Sequence, residues 1–265
     1  MKFIILFIYL FSSNVFAIGP KTEWSYEGET GPVNWAKLDS SFVKCGKGRR
    51  QSPINIEERY TEKAKFKPIL FSYRAGQVEI ENTGHTIQIN LPDSGTARFE
   101  GREYKLVNFQ FHTPSEEKIN SMASHMVAHL VHRSGDVKLA VIAVLFKLGR
   151  ENVHLKQIFE NFPKNVGKKK NIKKFDPIKI LPKNRTYFSY IGSLTSPPCT
   201  EGVKWFVFKS KVEMSYAQLA KFKKLYKSNS RYVQPTNNRR IQMFIDENRI
   251  EKDFKNDKNS KISVK

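Results

Sequence analysis

The chain is predicted to be a single, mainly β domain (α+β) built on a largely antiparallel sheet. Three observations predict it. Short runs of alternating apolar and polar residues follow one another, separated by clusters of Gly, Pro, Asn, Asp and Ser. One segment alone carries apolar residues at helical spacing. No linker-like stretch divides the 265 residues, a length that one large domain accommodates.

In chain order, residues 1–17, "MKFIILFIYLFSSNVFA", have one lysine, an apolar run and small residues before Ala17, the layout of a cleaved secretory signal peptide. An uncleaved anchor is the competing reading, weakened because the run is short and broken by Ser12, Ser13 and Asn14. No later stretch is apolar for long enough to span a bilayer, so residues 18–250 are expected to form a soluble domain, secreted or periplasmic. "KTEWSYEGETGPVNWAKLDSSF" reads as an irregular arm packed by its aromatics. Strands are expected at "QVEIEN", "HTIQINL", "YKLVNFQFH", "HMVAHLVHR" and "KLAVIAVLFKLG". The run from Val137 to Leu148 is apolar on both faces, which predicts a buried central strand. Leu155, Ile158, Phe159 and Phe162 lie at helical spacing before Pro163 and predict one surface helix. "TYFSYIGSLTSPPCTEGVKWFVF" is strand, proline-broken loop, strand. The polar residues 251–265 are expected to be a loose tail. Internal repeats, a P-loop, a Gly-x-Gly-x-x-Gly and a Gly-x-Ser-x-Gly are all absent, which removes the common nucleotide-binding and serine-hydrolase readings.

The formal net charge is +21, and lysines crowd the stretch from Lys164 to Lys183. Basic runs bind nucleic acid, acidic polysaccharide or anionic membrane surfaces. This one lacks the interleaved aromatics of a single-strand groove, and an exported chain rarely meets nucleic acid, so that partner is excluded. A solvated lysine face is the plainest reading; an anionic envelope surface is the partner it would otherwise suit.

Cys45 and Cys199 are the two cysteines of the chain. For a protein that leaves the reducing cytosol a disulfide is the economical reading, and two buried free thiols the other. Closing so long a loop would stabilise the fold by roughly 4 kcal/mol if chain entropy dominates.

The chemistry concentrates in "NFQFHTPSEE", residues 108–117. On a strand, residues two apart stand about 7 Å from each other on one face, a spacing that suits two metal ligands. Here Asn108, Gln110 and His112 share that face, with glutamine where a zinc site would normally have histidine. A second strand, "HMVAHLVH", puts Val127, His129 and Val131 on one face and Ala128, Leu130 and His132 on the other. Pairing the two antiparallel would gather Gln110, His112 and His129. Alone this is a weak signal, because an isolated strand histidine is more often a hydrogen-bonded core residue. His132 reads as such a core residue and His154 as a helix-surface one. His125 lies about 13 Å along the strand from His129, too far to substitute for a missing ligand without a bend.

The segments "WSYEGETGPVNW", "QSPINI", "NTGH", "FHTPSE", "AHLVH", "LAVIAVLF", "GSLTSPPCTEGVKW" and "QPTNNR" occur in an order and spacing that resembles the alpha-class carbonic anhydrases, from about Trp24 to about Ile245. The resemblance implies a large twisted, mostly antiparallel sheet of about ten strands, few surface helices and a conical cleft with zinc at its floor. Its reaction is hydration of carbon dioxide to bicarbonate and a proton, by hydroxide generated at the metal. The three zinc-ligand positions fall on Gln110, His112 and His129, so the first is changed from histidine. Family members usually carry a glutamate two residues before the third histidine, holding its other nitrogen; here that position is Val127. Thr195 matches the threonine that orients the attacking hydroxide, and Glu116 the glutamate that accepts the threonine's proton. His85 matches the proton-carrying histidine. Val131, Val141, Leu194, Val203 and Trp205 match the apolar wall on which carbon dioxide rests. Cys45 and Cys199 match a cysteine pair bridged in exported bacterial members.

Without the resemblance, Thr195 and Glu116 would be a buried hydroxyl and carboxylate in a structural network, His85 a loop histidine and the apolar wall ordinary core. With it, two readings stand. One is a zinc lyase working through a site weakened at Gln110 and Val127, with activity reduced or absent. The other is a non-catalytic relative whose cleft or basic surface binds an anion, a polysaccharide or a protein.

Overall fold

The structure, a computed structural model, describes residues 22–64 and 68–246. The predicted signal peptide and tail lie outside the described residues. No helix among the described residues is long and apolar enough to cross a membrane.

One large mixed sheet organises the chain. Its continuous path uses ten strands: β1 (Glu62–Lys63), β2 (Gly76–Asn82), β3 (Ile87–Asn90), β4 (Arg102–His112), β5 (Met126–Arg133), β6 (Leu139–Leu148), β7 (Lys169–Phe175), β8 (Tyr187–Ser193), β9 (Glu201–Phe208) and β10 (Gln242–Phe244). Across the sheet they run β7-β2-β3-β4-β5-β6-β9-β8-β10-β1. All neighbours are antiparallel except β6 with β9 and β10 with β1. Three further strands lie off this path: Gly95–Phe99 pairs with β4 and with Leu70–Tyr73, and Val212–Met214 pairs with β6; a small separate sheet is built on Asn55–Ile56, Lys118–Ile119 and Met122–Ala123.

Every strand expected from alternation is present, and the doubly apolar run is β6, buried between β5 and β9. The two faces of the sheet separate as the period of two requires. Phe109, Phe111, Ala128 and Leu130 point into the larger apolar cluster. Val127, Val131, Val141, Val203 and Trp205 point to the opposite face, into a second cluster. The functional side chains of β4 and β5 lie on that second face.

Three elements differ from expectation. The helix expected around Leu155 to Phe162 is the five-residue α1 (Lys156–Glu160). Its four apolar residues are buried as the spacing requires, but Leu155 and Phe162 flank the helix instead of lying in it. A longer helix, α2 (Tyr216–Lys223), carries a capping box: the Ser215 hydroxyl accepts from the Gln218 N–H, and Gln218 Oε1 accepts from the Ser215 N–H. Within the lysine-rich stretch, β7 forms one end of the sheet. Ile172 and Phe175 face inward there and the lysines face solvent, an arrangement that keeps an edge strand from pairing with another chain.

Cys45 and Cys199 are bonded, with 5.1 Å between their Cα atoms. The bridge joins the helical turn Lys44–Lys47 to the loop before β9 and packs against Trp35, Trp24 and Tyr26.

Candidate functional site

β4 and β5 pair antiparallel with Gln110 directly opposite His129 and His112 directly opposite Val127. This register brings the three expected ligand positions together, and a shift in it begins only past Val131. The rings of His112 and His129 have centroids 4.8 Å apart.

Each imidazole has one nitrogen committed. His112 Nδ1 donates to the Asn229 carbonyl at 2.8 Å, which leaves Nε2 with a free lone pair. Asn229 is itself fixed: its Oδ1 accepts from the Thr113 N–H, and its amide donates to the carbonyls of Phe111 and His85. His129 Nε2 donates to Glu117 Oε1 at 2.8 Å, so its free nitrogen is Nδ1. His129 also packs edge-on against Trp205, with centroids 4.8 Å apart. Gln110 is half-buried, and no side-chain hydrogen bond or ion pair holds it among the described residues.

Two buried carboxylates, Glu116 and Glu117, flank the imidazoles. Glu116 Oε1 accepts from the Arg231 backbone N–H at 2.8 Å. Its Oε2 lies 3.6 Å from His129 Nδ1 and has no hydrogen-bond partner among the described residues. His112, Glu116 and His129 each bring one potential metal-ligand atom within 4.8 Å of the others. Burial holds the pKa of His112 below the ordinary histidine value, although Glu116 pulls the other way. Burial also acts to depress His129, but attraction and hydrogen bonding from Glu117, with Glu116 adding to them, raise it above that value.

Arg231 anchors this floor from below. Its guanidinium is 1% exposed and donates to Gln51 Oε1, the Ser52 carbonyl and the Cys45 carbonyl. Burial lowers its pKa to about 10, so it stays charged at neutral pH.

Thr195 is buried beside the site, but among the described residues its hydroxyl makes no hydrogen bond, including the one to Glu116 that the resemblance implies. His85 is stacked on Trp24, with centroids 3.7 Å apart. Val131, Val141, Leu194, Val203 and Trp205 fall in one apolar cluster together with Val127. His132 is buried on the other face against Tyr73 and Phe99, as its position in the strand predicts; His154 is exposed but in the turn before α1 rather than on a helix, and His125 is exposed just before β5.

Sequence reasoning missed Glu117, Asn229 and Arg231. It also took Val127 to leave His129 without an orienting carboxylate; Glu117 supplies one. On a continuing strand, adjacent glutamates would point to opposite faces. The strand ends at His112, however, and the bend that follows turns both carboxylates toward His129. The paired acids in "SEE" were the one available signal.

A family model for eukaryotic-type carbonic anhydrase matches residues 30–250. The carbonic anhydrase of Neisseria gonorrhoeae is 42% identical over 225 residues, covering 84% of this chain and 88% of that protein. Dioscorin dioA3 of Dioscorea japonica is 34% identical, covering 84% and 86%. Among solved structures, the alpha-carbonic anhydrase of Thermovibrio ammonificans with sulfanilamide superposes with a TM-score of 0.82 at 39% identity, covering 84% of this chain and all of that one. Dioscorin complexed with ascorbate superposes at 0.80 with 32% identity, covering 84% and 98%.

Proposed function

The chain belongs to the alpha-class carbonic anhydrase family, and from that premise we propose that it hydrates carbon dioxide to bicarbonate at a zinc site held by His112, His129 and Gln110, more slowly than a site of three imidazoles would. One observation carries the reading: both imidazoles have a nitrogen committed to a buried acceptor, Asn229 for His112 and Glu117 for His129, which leaves one free lone pair on each of two adjacent rings.

The donor set suits the ion. Zinc takes histidine nitrogen and side-chain oxygen, and neutral donors leave its charge undiminished. The partnerless Glu116 Oε2 beside them is a buried anionic oxygen that a cation would stabilise. Bound there, zinc would supply the Lewis acidity that makes hydroxide available at neutral pH. Gln110 is the weak point, because an amide oxygen is a poorer zinc donor than imidazole.

In this reading the Thr195 hydroxyl turns to donate a hydrogen bond to the partnerless Glu116 Oε2, and the Thr195 oxygen then orients the attacking group toward carbon dioxide. Val131, Val141, Leu194, Val203 and Trp205 hold the substrate and exclude water. His85 takes up the released proton and passes it to solvent, a task suited to an imidazole. The disulfide supports export to an oxidising compartment, secreted or periplasmic. The 164–183 lysines would face an anionic envelope surface there.

The second reading is a cleft that binds a small organic anion without catalysis. Similarity to a dioscorin solved with ascorbate favours it. Elemental analysis after zinc loading, together with stopped-flow carbon dioxide hydration, separates the two. One zinc per chain with hydration abolished by His112→Ala supports the lyase. A zinc-free, inactive chain that binds ascorbate or another carboxylate in the cleft supports the second reading.

A further inference from the structure

The carboxylate that orients His129 occupies a new place in the chain. We infer that Glu117 is the positioning residue that readies His129 for metal, in place of a glutamate at position 127; the inference rests on the zinc site proposed above.

Glu117 is 0% exposed, and its Oε1 accepts from His129 Nε2 at 2.8 Å. That is the only side-chain hydrogen bond of either residue among the described residues. The nearest alternative carboxylate oxygen, Glu116 Oε2, lies 3.6 Å from the other ring nitrogen, beyond hydrogen-bonding reach. A carboxylate on Nε2 holds the proton there, which fixes the ring plane and leaves the Nδ1 lone pair for a metal.

A purely structural role explains this poorly. Among the described residues Glu117 Oε2 has no hydrogen-bond partner, so the side chain is a buried carboxylate that is half satisfied, and its one side-chain hydrogen bond there is to the proposed ligand. Such a group is costly as packing and makes sense as an orienting acceptor.

Val127 completes the exchange. It sits opposite His112, on the same face as His129 and two residues before it, fully buried in the cluster with Val141 and Trp205. The strand position that usually carries the acid has become apolar wall, and the turn after β4 delivers the acid from the other direction. Val127 and Glu117 are one relocation. Only Gln110 remains as a net loss to the metal.

The test measures zinc affinity by chelator competition in two backgrounds, the native chain and Gln110→His, which restores three imidazoles whatever Gln110 itself can do. Glu117→Ala is expected to weaken zinc about 10- to 100-fold in any background that binds it. Glu117→Gln should lose less, because its amide oxygen still accepts from Nε2. Adding Val127→Glu to Glu117→Ala should recover most of the loss, which a structural role for Glu117 would not allow. Glu117→Met fills the same volume without an acceptor and replaces Glu117→Ala if that variant does not fold. In the metal-free chain, the His129 Nε2 proton resonance should persist in Glu117→Gln and vanish in Glu117→Ala or Glu117→Met. Zinc binding by Gln110→His but not by the native chain removes the role proposed for Gln110, and the Gln110→His pair alone then decides the role of Glu117. Unchanged affinity in the folded acceptor-free variants, a loss that Val127→Glu does not recover, or no zinc in either background overturns the inference.

Discussion

Gln110 and His129 are directly opposed across β4 and β5 on the face of the sheet that carries the second apolar cluster. Opposed residues of an antiparallel pair keep their Cβ atoms within about 5.5 Å, close enough for both side chains to reach one ion. In the proposed zinc site the backbone therefore frames three ligand positions, and Gln110 differs from the two histidines in donor chemistry alone.

Gln110→His is accordingly expected to raise zinc affinity at least tenfold and to increase carbon dioxide hydration by a larger factor, since imidazole is the better donor. The gain should depend on Thr195, so that Thr195→Val in the Gln110→His chain removes most of the added rate and leaves zinc content unchanged. Chelator competition and stopped-flow hydration read the two effects separately. A Gln110→His chain that binds zinc tightly but stays inactive would point to changes elsewhere in the cleft.

The disulfide and the site are mechanically linked. Cys45 and Cys199 close a loop with a sequence separation of 154, and the Cys45 carbonyl is one of three acceptors of the Arg231 guanidinium, whose backbone holds Glu116. Reduction, or the Cys45→Ser/Cys199→Ser pair, is expected to lower unfolding free energy by about 4 to 5 kcal/mol on the chain-entropy account. Urea titration with and without reductant measures it, and coincident curves would refute it.

Arg231 itself should be intolerant of substitution. Its planar fork reaches Gln51, Ser52 and Cys45 at once, which one ammonium group cannot reproduce. Arg231→Lys is expected to cost about 3 kcal/mol and Arg231→Met more, because buried carbonyls lose their donors. A shift of the denaturation midpoint by less than a third of that would show that water replaces the guanidinium.

These residues mark the limit of what the sequence discloses. The alternating strands, the same-face placement of Gln110 and His112 and the cysteine pair are readable because a strand has a fixed period and a chain expected to be exported has a known redox setting. Asn229, Arg231 and Glu117 lie in irregular segments, where no period says which way a side chain points. Their partners are 12 to 186 positions away in the chain, reached only once the sheet has closed. The β7 strand was hidden for another reason: its exposed face is almost all lysine, so only Ile172 and Phe175 report burial. The capping box of α2 was present in the sequence and simply short of a strong apolar stripe to announce it.

His132 supplies the pH dependence. It is fully buried on the side of the sheet away from His129, hydrogen-bonded through Nε2 to the Tyr73 hydroxyl and packed against the Phe99 ring. Burial pushes its pKa down to about 3. In the unfolded chain a histidine titrates near 6.5, so between about pH 6.5 and 3 the unfolded state binds a proton that the folded state does not. The folded pKa is the lower of the two. The contribution is therefore constant above about pH 6.5, and stability is lost as pH falls below it. At pH 4 the loss attributable to His132 is on the order of 3 kcal/mol. His132→Phe cannot take up that proton and keeps an aromatic ring beside Phe99, so its stability should fall less steeply with acid than that of the native chain, whatever constant offset the lost Tyr73 bond introduces. Urea unfolding of both proteins at several pH values from 7 to 4 gives the comparison. Parallel curves would mean that His132 protonates in the folded state with a nearly normal pKa, and the buried, neutral imidazole would have to be abandoned.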